Sequence, residues 1–75
     1  MKWQDYIVAD PAVLVGKPII KGTRLSVEFV LGLMAQGWSD DEILSNYRIG
    51  RDQLRACAAY ALDRLRDERV FTSTA

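Results

Sequence analysis

The sequence predicts a mainly α domain: a three-helix helix-turn-helix arrangement, of homeodomain-like or winged-helix-like plan, behind a short N-terminal β-hairpin. Three observations carry that prediction. Two short β-rich runs bounded by turn residues precede residue 26. A capping sequence, Ser39-Asp40-Asp41-Glu42, opens a helix in mid-chain. Apolar residues then recur at helical spacing from Leu54 to Leu65.

Seventy-five residues make a single domain, 1–75, with a β-element at about 5–25, the helices at about 26–69 and a tail at 70–75. A chain this short buries only about 60% of the surface its unfolded form exposes. Dimerisation or a partner is a usual remedy for so thin a core. A hydrophobic content of 49% argues for folding rather than disorder.

Tyr6-Ile7-Val8 reads as a first strand, ended by the turn-forming pair Asp10-Pro11. Pro18-Ile19-Ile20-Lys21 reads as a second, bounded by Gly16 and Gly22. Pro18 has no N–H to donate, which places it on an edge or at a strand start. Two strands alone are marginal in water, so they must pack on the helices or on another chain.

Ser26 is a good N-cap for a first helix over Val27–Gln36, with Gly37 just past its end. Val27, Val30, Leu31 and Met34 form one face, while Phe29 and Leu33 form a second stripe on the far side. A helix apolar on two sides is either central to its domain or shared with a partner. Phe29 and Leu33 are therefore the expected homodimer contacts.

In the second helix, about 40–47, Ser39 caps the first turn and Glu42 reaches back to the serine N–H. Trp38 and Ile43 are placed as a hydrophobic staple, and the three acids lie where the helix dipole is positive. Arg48-Ile49-Gly50 breaks the chain before a long third helix, roughly Arg51 to Glu68. Its expected core stripe is Leu54, Cys57, Ala58, Ala61, Leu62 and Leu65. Two helices joined by a short glycine-containing turn, with a third before them, make the helix-turn-helix plan.

Composition excludes much chemistry. No histidine is present, which removes Ser-His and Cys-His nucleophile systems and the commonest metal ligand. The acids at 40–42 are explained by capping, so no enzyme activity, cofactor or metal is expected. One cysteine, Cys57, cannot form an internal disulfide and suits a reducing cytosol. On the third-helix stripe it reads as a small buried hydrophobe. The opening MKWQDYIV turns acidic without a long apolar run, and the stretch FVLGLMA is too short to cross a membrane. A cytoplasmic location is expected.

Ten Lys and Arg offset ten Asp and Glu, so DNA binding would need a local patch. The candidates are Arg48, Arg51 and Arg55 at the start of the third helix, where helix-turn-helix domains meet base edges and phosphates. Arg51 and Arg55 lie four apart and repel mildly, and Arg51 sits where the helix dipole disfavours a cation. An anionic partner would offset both effects.

The stretch GKPIIKGTRLSV is not a phosphate loop, because Pro18 follows Gly16-Lys17 where a Walker loop needs Ser or Thr. It resembles the opening motif of a bacterial and archaeal family catalogued as domain of unknown function 433. The shared positions are Asp10-Pro11, Gly16, Lys17, Pro18, Ile20, Gly22, Thr23 and Arg24. They continue with Gly37, Trp38, Ile43, Leu44 and Tyr47, then Leu54, Arg55, Ala56 and Tyr60-Ala61. The resemblance implies a usually dimeric helix-turn-helix fold behind a β-element, and an antitoxin role beside a PIN-like nuclease toxin. The chain departs from it in three places. Val15 stands where a second glycine is frequent, Arg48 where proline follows the tyrosine, and Gly50-Arg51 where the third helix opens Thr-Pro.

Within the motif, Thr23 is expected to make a turn hydrogen bond, and Arg24 to tether the β-element to carbonyls or to an acid such as Asp10. Lys17 and Lys21 read as solvated edge lysines that block strand addition. If the edge is used instead, a toxin or second subunit pairs there, engaging Lys17, Ile19, Ile20 and Lys21, or else the tail through Val70 and Phe71. The function expected is a homodimeric, non-catalytic antitoxin that binds a toxin and its operator DNA. The alternatives are a DNA-binding regulator without a toxin and a structural or interaction module.

Overall fold

A computed structural model describes residues 1–67. The expected contacts of Val70 and Phe71, and the tail at 70–75, lie outside the described residues. The chain runs through a short 3-10 turn at Trp3–Asp5, strand β1 (Ile7–Ala9), a second such turn at Leu14–Gly16 and strand β2 (Pro18–Ile20). Helices α1 (Val27–Ala35), α2 (Asp40–Tyr47) and α3 (Arg51–Asp67) follow. This is the three-helix domain with an N-terminal β-hairpin that the sequence predicts.

The strands pair antiparallel, with Ile7 opposite Ile20, Val8 opposite Ile19 and Ala9 opposite Pro18. Pro18 thus begins its strand, where its missing N–H costs no ladder bond. Beyond β2 the chain turns tightly: the Thr23 N–H bonds the Ile20 carbonyl at 3.0 Å, with Gly22 at φ 79° in the position that requires a left-handed residue. Ile20 N–H then bonds Leu25 O, and Ser26 bridges Ile19, so the free edge of β2 is closed by its own chain. Ile19 and Ile20 are 3% and 0% exposed. The expectation that they form a partner-facing edge is therefore corrected: both side chains are interior, and the returning segment occupies the backbone edge.

Helix ends follow local chemistry. Ser26 Oγ accepts from Phe29 N–H at 2.9 Å to cap α1. At its far end Trp38 N–H bonds Leu33 O and Gly37 N–H bonds Met34 O, with Gly37 at φ 96°. That pair of bonds is a Schellman motif, and it needs the left-handed glycine. The capping box on α2 is complete, Glu42 N–H to Ser39 Oγ at 3.2 Å and Ser39 N–H to Glu42 Oε1 at 2.9 Å. Arg48 closes α2 in a left-handed conformation, φ 54°.

The core joins Ile7 and Ile20 of the hairpin to Val27, Val30 and Leu33 of α1, Ile43 of α2, Ile49 of the turn, and Leu54, Ala56 and Cys57 of α3. Two helix faces differ from expectation. Leu33 is 6% exposed and belongs to the core, so it is not a dimer contact. Successive helical residues rotate by about 100°, which puts Leu33 about 60° from Val30 and Phe29 a further 40° round. The neighbours of α1 cover Leu33 and stop short of Phe29, which is 43% exposed.

In α3 the inward arc passes through Leu54, Ala56 and Cys57, rotated from the expected stripe. Ala58 is exposed, and Leu62 and Leu65 are 47% and 61% exposed. At 17 residues, about 26 Å, α3 outruns the body of the domain. Its C-terminal half packs against the N-terminal turn, where the Trp3 and Tyr60 rings meet edge to face at 4.9 Å and Trp3 Nε1–H donates to Asp63 Oδ2 at 2.6 Å.

Candidate functional site

Three surfaces emerge from this frame. The first is the start of α3. Arg48 is exposed at the left-handed end of α2, and Arg55 is exposed one turn into α3 with no hydrogen bond or ion pair among the described residues. Arg51 differs. Its Nη2 lies 2.7 Å from Asp41 Oδ1 in the first turn of α2. A carboxylate ten residues earlier supplies the partner, and both side chains are largely solvated, so the pair contributes little stability. The three arginines therefore do not form one free patch. Arg48 and Arg55 remain available, while an acid stands beside the position where phosphate would approach Arg51.

The second surface is the opening motif. Thr23 Oγ1 donates to Ile20 O at 2.8 Å and accepts from Leu25 N–H at 3.0 Å, which locks the turn after β2. Gly16 and Gly22 hold φ of 77° and 79°. Lys17 Nζ lies 3.8 Å from Glu28 Oε1, both well exposed, and Lys21 is exposed within the turn. The tether expected of Arg24 is absent: among the described residues it makes no hydrogen bond or ion pair, and it is exposed. Asp10, its expected partner, instead accepts from Ala12 N–H at 2.9 Å in its own turn. Arg24 lines an open cleft with Leu14, Leu25, Ser26, Phe29 and Tyr47. The Phe29 and Tyr47 rings meet edge to face at 5.4 Å, and Trp38 lies 6.1 Å beyond Tyr47.

The third surface is the outer side of α3. Leu65, Ala61 and Tyr60 flank a groove completed by Pro18, Val27 and Leu31. Glu28 stands on its rim from α1 and Arg64 from α3. Helical spacing puts Ala58, Leu62 and Leu65 on the core stripe, and the structure leaves all three exposed. The signal that could have separated them is Ala56, which with Leu54 and Cys57 marks a second apolar arc on the same helix.

Cys57 is fully buried, and burial pushes its thiol up to about 11, so it carries no thiolate at neutral pH. No group of three or more Cys, Asp and Glu side chains is placed to hold a metal ion among the described residues. No helix there is long and apolar enough to cross a membrane.

A family model described as "Protein of unknown function (DUF433)" matches residues 7–61, from β1 through most of α3. No curated protein and no solved structure matches the chain.

Proposed function

This chain belongs to the family described as Protein of unknown function (DUF433), and from that premise we propose that it is a dimeric, non-catalytic antitoxin that binds and neutralises a PIN-like nuclease toxin. One observation carries the binding role: α3 leaves Leu62 and Leu65 exposed, and Leu65 lines the apolar groove with Leu31 and Tyr60. Large apolar side chains held in water on a rigid helix mark an interaction surface. Glu28 and Arg64 on the groove's rim are complementary charges, so a second copy turned about a two-fold axis would meet its opposites. On this reading the dimer contacts are Leu62 and Leu65 of α3, in place of the expected Phe29 and Leu33. The nature of the toxin comes from the family resemblance in the opening motif.

Sedimentation of the wild type and of Leu62→Asp and Leu65→Asp tests the dimer: the wild type sediments as a dimer at micromolar concentration and each variant as a folded monomer. Co-expression with the product of the adjacent reading frame tests the antitoxin. A nuclease-like neighbour should co-purify and lose its activity in the complex. A wild type that neither self-associates nor retains that neighbour would end this reading.

A DNA-binding role is favoured by Arg55, exposed on the third helix and without an acid partner among the described residues. In binding to the protein's own promoter, Arg55→Ala should cost about 1–3 kcal/mol on the operator and little on other sequences. Arg48→Ala should weaken all sequences alike and lower the salt slope by roughly one per subunit. Arg51→Ala should change little, because that guanidinium already faces Asp41. Tight binding by the Arg48→Ala, Arg55→Ala double variant would leave the helices as a scaffold alone.

A further inference from the structure

Nearly every residue of the opening motif has work inside the fold, and Arg24 does not. Gly16 and Gly22 supply left-handed backbone, Pro18 begins β2, Thr23 locks the following turn, and Lys17 faces Glu28. Arg24 is exposed and without an internal partner among the described residues, and one side of it is apolar. Leu14 and Phe29, which line the same cleft, are each 43% exposed. Val15, the next residue, is 95% exposed and holds φ 56°, a conformation that a β-branched side chain rarely adopts. Packing within the chain does not repay that conformation, since the side chain touches almost nothing.

A guanidinium beside an apolar wall has a definite chemical complement. Its planar fork matches a carboxylate, and the wall matches the body that carries it. A nucleic-acid strand would need a track of cations along the cleft. Among the described residues Arg24 is the only charged one lining it, and Lys17, on the far side of Phe29, already faces Glu28 at 3.8 Å.

We propose that the cleft between Leu14, Phe29 and Tyr47 is a docking site for a partner-protein segment bearing a carboxylate next to a large apolar side chain, with Arg24 pairing the carboxylate. The apolar group seats against Phe29 and Leu14, and the left-handed turn at 14–16 presents Leu14 to it. This deepens the antitoxin reading and rests on it for the identity of the partner, while the chemistry of the cleft stands separately.

The test has two arms, both on the full chain. In the first, the ¹⁵N-labelled protein is titrated with 4-phenylbutyrate, with its neutral amide and with inorganic phosphate. The carboxylate should shift resonances of Leu14, Leu25, Phe29, Tyr47 and Arg24 Nε, and should bind at least about threefold more tightly than the amide. Arg24→Gln should abolish that preference without changing Tm, because Arg24 holds nothing inside the fold. Equal binding of acid and amide, equal shifts from phosphate, or shifts confined to other surfaces would overturn the site. In the second arm, the neighbouring gene product is co-expressed with the wild type and with an Arg24→Gln, Phe29→Ala variant. Loss of co-purification in the folded variant supports the site, and equal retention overturns it. Should the first arm succeed while no neighbour is retained even by the wild type, the toxin reading fails and the cleft's chemistry stands.

Discussion

Val15 sits at φ 56° between Leu14 at 49° and Gly16 at 77°, three consecutive residues in left-handed backbone. Only the glycine adopts it without strain, and each of the others costs roughly 1–2 kcal/mol. Glycine is frequent at position 15 in the family that the opening motif resembles, and the backbone gives the reason. Val15→Gly should relieve the strain and lose no packing, the side chain being 95% exposed. Part of that relief is offset by the freedom glycine adds to the unfolded chain, about 0.5–1 kcal/mol. The expected result is a gain of up to about 1 kcal/mol, read as a higher urea midpoint at unchanged slope. A clear loss of stability would mean that the left-handed turn is not the native conformation. Arg24 teaches the converse lesson at the same scale. Its residue type suggested a tether, and its partner could not be known, because hydrogen bonds such as that from Ala12 N–H had already engaged Asp10.

The helices were legible where their signals are local. Ser26, Ser39 and Gly37 lie within a few residues of the groups they satisfy, so the boundaries of α1 and α2 follow from the sequence to within a residue. Ser39→Ala should therefore destabilise the domain by about 1 kcal/mol, measured by urea unfolding. The same capping box predicts a pH response. Hydrogen bonds from the Ser39 N–H and hydroxyl hold the Glu42 carboxyl below its ordinary value of 4.5. A carboxyl depressed in the folded state stabilises above its unfolded pKa and loses that contribution as pH falls through its folded pKa. Stability should thus decline on acidification below about pH 4.5, and Glu42→Gln should decline less over that window. Identical acid limbs for the two proteins would show that the box is not closed in solution. The faces of α1 and α3 were less legible. Each helix carries an apolar arc wider than its neighbours can cover, and periodicity does not say which edge of the arc is left out.

At the scale of the whole molecule, the hydrogen bond with the greatest reach among the described residues joins Trp3 to α3. Its indole N–H donates to Asp63, sixty residues away, and its ring packs on Tyr60. This strap fastens the N-terminus to the half of α3 that extends past the core. Trp3→Phe keeps an aromatic ring, though a smaller one, and removes the donor, leaving a partly buried carboxylate unpaired. It should cost about 1–2 kcal/mol in urea unfolding. A Trp3→Phe variant as stable as the wild type would show that the strap is open in solution. Nothing local announced this pair. The turn at Trp3–Asp5 is short, and Asp63 lies sixty residues along the chain from it.

The sequence by itself determined the elements and their ends: two short strands, three helices, the capping box, the glycine turns and a buried Cys57. These depend on bonds among residues a few positions apart and on whether an apolar arc exists, and both can be read along the chain. The tertiary structure alone decided which arcs face inward and which charges find partners. It buried Ile19, Ile20 and Leu33, turned Leu62 and Leu65 outward, joined Arg51 to Asp41 and left Arg24 beside an open apolar cleft. Those outcomes depend on how far each neighbour reaches across a helix or strand. In a chain of 75 residues the core is too small to cover every apolar surface, so packing selects among faces that the sequence presents as equals.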